Sequence, residues 1–147
     1  MDERIRRLDT IKKCQNFERN AINRARPDLA AEARQRAVQL RAEEYGAEST
    51  AEKEAVQAVY AYEDLLTNKN GRTTRASRTW QMIKRHGIIE AVERAVKRDA
   101  VTQGYTMLVE MGLEEYAFEA VILRHPDVFS DEAVQISRAR LIEWKDA

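Results

Sequence analysis

The densest run of chemically capable side chains lies between Asn68 and Arg98, where nine Lys/Arg meet two Glu. Lys69, Arg72, Arg75 and Arg78 recur every three residues there, and Lys84 and Arg85 follow. Guanidinium and ammonium groups so arranged suit the oxygens of a polyanion, Arg as a planar fork and Lys as a compact point charge. If residues 72–85 are partly helical, several of these cations share a face with Thr74 and Ser77. A helix N-terminus nearby would add free N–H groups that favour phosphate. The expectation is a basic loop and helix, Lys69 to Arg85, that touches phosphates.

A second group, Asn16, Arg19, Asn20 and Asn23, falls at helical spacing near the start of the chain. Asn disfavours helix interiors because its side chain competes for backbone groups. Three on one face suggest a secondary surface able to meet base edges and phosphates. The plainer reading is a solvated polar face.

Catalysis has little to draw on. His86 and His125 are the two histidines and Cys14 is the sole cysteine. Both histidines fall at expected helix C-termini, where an imidazole complements the helix dipole. With no His-x-x-x-His and no Cys-x-x-Cys, no metal site or cofactor is expected. Glycine-rich phosphate loops and a Gly-x-Ser-x-Gly elbow are missing as well. An enzyme assembled from dispersed residues stays open but is not the expectation. Met82, Met107 and Met111 with Trp80 and Tyr105 suit the lining of a small-molecule pocket, although such spacing belongs more often to a core.

The elements that must position these groups are helices. A 44% hydrophobic and 34% charged chain with five Gly and two Pro has little room for turn-rich β architecture, and helix formers dominate it. The expected fold is all-α, a single helical domain over 1–147 of about six to seven helices with short connections. Helices at 51–66 and 113–125, apolar nearly all round, should be central to it. A first helix is expected over 2–25, although Ile5 and Phe17 lie off its apolar stripe. Pro27 opens the second helix, Gly46 ends it, and Ser49 to Glu52 matches a capping box. Asn68 to Gly71 reads as a turn with a positive φ at the glycine.

Trp80 to Glu90 and Tyr105 to Glu115 share the pattern aromatic-x-Met-aliphatic-x-x-x-Gly-aliphatic-x-Glu. Two similar helix stops explain it, with Ile88 packing back on Ile83 and Leu113 on Leu108. Gly87 also invites comparison with the helix-turn-helix of DNA-reading proteins. Ile83 stands where that motif has a small residue, and Glu93 where it has a buried aliphatic one. The motif is therefore not assigned.

Net charge is zero but segregated: residues 1–42 carry 11 basic and 6 acidic groups, 43–64 carry 1 and 7, 65–98 carry 9 and 2, and 99–147 carry 4 and 10. These alternating blocks either leave a basic face open to a polyanion or pair with one another across the bundle. The charged N-terminus, the lack of a long apolar run and the lone cysteine predict a cytoplasmic protein with no membrane association. Two functions follow as expectations. One is a small nucleic-acid-associated or regulatory binding protein that uses the basic loop and helix. The alternative is a protein-interaction or homo-oligomerisation module without nucleic-acid contact.

Overall fold

The structure, a computed structural model, describes residues 1–98 and 102–146. All regular elements among them are helical: α1 (Glu3–Arg6), α2 (Ile11–Asn23), α3 (Pro27–Tyr45), α4 (Thr50–Asn70), α5 (Ser77–His86), α6 (Ile88–Val96), α7 (Thr102–Met111), a 3-10 turn (Glu114–Tyr116), α8 (Phe118–Arg124) and α9 (Asp131–Asp146). The all-α expectation holds. The expected six to seven helices become nine α-helices among the described residues; 2–25 divides into two α-helices, and 113–125 into a 3-10 turn and a shorter α-helix.

The first division falls within residues 2–25. Asp2 caps the four-residue α1, and Thr10 starts a fresh helix by accepting the Lys13 N–H at 3.1 Å. Ile5, off the expected stripe, sits in its own short helix and is wholly buried against Ala21, Leu29 and Ala30. The second division falls within 113–125. Leu113 donates its N–H to Leu108 at 2.8 Å and so completes the stop of α7. Helix then resumes only at Phe118, after the 3-10 turn.

The α4 helix is central, as expected from its apolar circumference. It gives Ala61 and Leu65 to one buried cluster, Ala55 and Ala58 to a second, and Val59 to a third. Its last turn runs through Asn68, Lys69 and Asn70, which places these in helix and not in a turn. Gly71 then takes φ +70°. Around α4, α2 lies along α3, α5 against α6, and α8 against α9.

Local stops follow the sequence closely. Pro27 is the first residue of α3, and Gly46 ends that helix at φ +80°. Ser49 Oγ accepts the Glu52 N–H at 3.1 Å, and the Glu52 carboxylate accepts from the Ser49 hydroxyl at 2.9 Å. The two glycines of the repeated pattern differ. Gly112 lies at φ +73° in a full two-bond stop, its N–H on Val109 O and that of Leu113 on Leu108 O. Gly87 lies at φ +89°, ψ 165°, makes one bond to Ile83 O, and at once begins α6.

Candidate functional site

The basic segment hangs from a buried acid. Ala76 precedes α5 and offers no capping side chain. The cap comes from α4, where Glu63 is 7% exposed. Its Oε2 accepts from the Ala76 N–H at 2.9 Å, from Trp80 Nε1 at 2.7 Å and from Arg75 Nε at 3.1 Å. A carboxylate at a helix N-terminus is favoured by the helix dipole, and three donors offset its desolvation. The expectation that this N-terminus could receive phosphate therefore fails: an internal carboxylate already occupies it.

Six cations were expected to act together. Arg75 is the exception, held on Glu63. Lys69, in the last turn of α4, and Arg72, just after Gly71, are both exposed. On α5, Thr79 and Ile83 are buried while Trp80, Met82 and His86 are half-buried. The opposite side presents Ser77, Arg78, Gln81, Lys84 and Arg85, all exposed, and α5 contains no carboxylate at all. Among the described residues no acid pairs with Lys69, Arg72, Arg78, Lys84 or Arg85, whereas Arg94 and Lys97 of the same block do have partners. Lys84 and Arg85 also lie in the last turn of α5, where positive charge supports the helix whatever else it does.

Thr74 is not on this face. Its N–H donates to Thr67 Oγ1 at 2.9 Å and its hydroxyl to Arg72 O at 2.9 Å, bonds that hold the 71–76 loop in shape. Asn16, Arg19, Asn20 and Asn23 are exposed on α2, away from the Cys14 and Ala21 side that is buried. A polar cleft of about 520 Å³ runs between α2 and the loop, yet α2 lines it with Gln15 and Glu18 and none of those four. The three arginines of the cleft are matched internally, Arg34 to Glu18 and Arg41 to Asp64 at 2.8 Å each, and Arg75 to Glu63. Burial pushes the Asp64 carboxyl above its usual range, against the pull of Arg41. Little positive charge is left over there for an anion.

Glu63 is the residue that sequence reasoning missed. It lay among the seven acids of 43–64, and nothing in one dimension ties it to Ala76 or Trp80. The available sign was positional, a carboxylate four after Val59 and three before Leu66 on a helix otherwise apolar there. Trp80, placed by Glu63, stacks on Tyr45 at 5.6 Å between centroids and lies 5.1 Å from Tyr60.

The histidines sit where expected, at helix ends, and meet acids. His125 Nε2 lies 2.8 Å from Glu54 and His86 Nδ1 3.8 Å from Glu90. No group of three or more metal-ligating side chains occurs among the described residues, and none of their helices is long and apolar enough to cross a membrane. Glu93, which counted against a helix-turn-helix, is half-buried and accepts the Ser130 N–H ahead of α9. That contact gives α6 a packing role. No family model matches the chain, and no curated protein or solved structure matches it significantly.

Proposed function

We propose that this protein binds nucleic acid, or another polyanion of repeated phosphates, through Lys69, Arg72, Arg78, Lys84 and Arg85. One observation carries the reading: five exposed cations stand on the end of α4, the following loop and one carboxylate-free face of α5, without acidic partners among the described residues. Their neighbours Arg75, Arg94 and Lys97 are also exposed, but each already meets an acidic partner. Phosphate contacts position a nucleic acid without reading its bases, so the proposal is for sequence-tolerant binding. Asn16, Arg19, Asn20 and Asn23 would form a secondary surface.

Neutralising phosphates releases counterions, so affinity for a short duplex DNA or RNA should fall linearly with the logarithm of salt concentration. Arg72→Ala and Arg78→Ala should each lower that slope by about one. Arg75→Ala should change it least, because its guanidinium already serves Glu63. No detectable binding at low salt would overturn the proposal.

The rival reading, a protein-interaction or oligomerisation module, would gain from a contiguous apolar patch. The large exposed apolar residues Met1, Ile22, Tyr45, Tyr62, Val109, Val128 and Ile142 fall on five helices, a loop and the first residue, with no two on one element. We therefore prefer the phosphate-binding reading. Light scattering that showed a stable dimer would favour the rival.

A further inference from the structure

Behind the basic face a second cleft opens between α4, α5, α6 and α7. It encloses about 370 Å³, at the lower end of the range of small-molecule sites. At roughly 30 Å³ per small heavy-atom group, the share of a liquid water, this is room for on the order of a dozen non-hydrogen atoms.

Its walls are apolar and largely aromatic: Tyr62, Tyr105, Phe118 and Trp144, with Met82 and Met107 between them. Methionine is unbranched and polarisable, so such a wall adapts to a guest. The depth of the cleft is closed off, with Leu108 9% and Thr79 7% exposed. Charge is confined to the lining residues Lys69, Arg98 and Glu119.

These three are not equivalent. Glu119 is 7% exposed and is met by Arg140 at 3.2 Å. The same guanidinium also donates to Arg98 O at 2.6 Å, which fixes that wall. Lys69 and Arg98 are exposed, and so stand at the mouth. The Arg98 guanidinium lies over the thioether of Met82, 3.5 Å from Sδ. No carboxylate among the described residues pairs with either cation. The cleft thus combines an apolar interior, one neutralised acid and two cations at the opening.

We propose that this cleft binds a small amphiphilic anion, an apolar body of about seven to nine carbons inserted among the aromatic rings with a monoanionic carboxylate held by Lys69 and Arg98. The apolar body accounts for the walls and the head group for the rim. A wholly apolar guest would leave the two cations without a role, and a highly charged one would have no use for the interior. The site stands independently of nucleic-acid binding, although Lys69 belongs to both surfaces.

The test is calorimetric titration of the full chain with octanoate and with 1-octanol, each below its aggregation limit. Fluorescence of Trp144, which lines the cleft, provides a second readout. Octanoate should bind at least tenfold more tightly than 1-octanol. The exposed-site variant Lys69→Ala/Arg98→Ala should bring octanoate down to the alcohol level. Ala95→Phe, which fills the cleft from α6, should abolish binding of both in protein that still melts cooperatively. No binding of octanoate, equal affinity for acid and alcohol, or an unchanged octanoate affinity in the double variant would each overturn the proposal. None of these readouts involves nucleic acid, so failure here leaves the phosphate-binding reading to its own experiment.

Discussion

Single residues carry some of the sharpest consequences of this fold. Ala25 follows α2 at φ +56°, the left-handed region that disfavours every residue with a Cβ. It ends the helix with the bond pair found at Gly112, since the Ala25 N–H meets Ile22 O at 3.0 Å and the Arg26 N–H meets Ala21 O at 2.8 Å. Ala25→Gly should therefore stabilise the protein by about 0.5–1 kcal/mol, strain relief less the added freedom of the unfolded chain. A raised denaturation midpoint at unchanged slope is the expected result, and a lowered one would refute it. Gly112 is the opposite case. A Cβ there would lie 2.4 Å from Ala31 Cβ on α3, in addition to the strain of φ +73°. Gly112→Ala should cost about 2–4 kcal/mol, and adding Ala31→Gly should recover only the steric share. At Gly87 no atom lies within 4 Å of such a Cβ, so the same change there meets backbone strain alone. The repeated sequence pattern announced two stops. Which of them a neighbouring helix presses against is not written in it.

Between elements, a buried acid and a half-buried one do the joining. Glu63 connects α4 to the start of α5, and removing it would strand the Ala76 N–H, Trp80 Nε1 and Arg75 together. Glu63→Ala should cost about 2–4 kcal/mol, the range for breaking a buried charged hydrogen-bond set. Trp80 emission should shift as α5 loosens, and an unchanged spectrum and midpoint would deny Glu63 this role. Glu54 connects α4 to α8 through Arg124 Nε at 2.6 Å and His125 Nε2 at 2.8 Å. Burial raises the Glu54 carboxyl, but these two hydrogen bonds outweigh it and hold the group below its ordinary 4.5. A carboxyl lowered by folding contributes stability that is fully present above its unfolded value and is lost as pH falls through the folded one. Wild type should thus lose part of its stability below about pH 4.5 through this group. Glu54→Gln should be less stable near neutrality by about 1–2 kcal/mol and show a shallower acid limb in chemical denaturation. Asp64, raised by burial, works in the reverse sense, its contribution weakening as pH rises past the usual carboxylate range. These junctions were largely illegible in the sequence, because an acid on a helix carries no mark of which distant N–H it will meet.

For the whole molecule, the alternating charge blocks resolve unevenly. Arg41 with Asp64, Arg75 with Glu63 and Lys97 with Glu132 join basic blocks to acidic ones, while Arg124 with Glu54 ties the two acidic blocks together. Lys69, Arg72, Arg78, Lys84 and Arg85 are left facing outward. Pairing across the bundle consumes some of the charges, and the remainder faces outward. If the basic face binds a polyanion, it should do so with a salt dependence set by those five cations. A charge-reversed Arg72→Glu/Arg78→Glu variant should then lose binding to any sequence alike, by at least tenfold at moderate salt, without loss of thermal stability. A sequence-selective loss would contradict a purely phosphate-directed surface.

Composition and apolar periodicity by themselves determined the helical class, the central place of α4, the Pro27 and Gly46 boundaries, and a basic stretch poor in acids. Those features depend on local backbone preference and on burial of a face, which neighbours in sequence largely dictate. Tertiary structure alone decided that the N-terminus of α5 is closed by Glu63. It likewise decided that Arg75 is lost to the basic face, that Gly112 touches α3, and that Met82, Met107 and Tyr105 border a cleft while Trp80 does not. Each of these depends on which side chains from distant turns arrive within a few ångströms of one another. That is set by how whole helices pack, and no local preference encodes it.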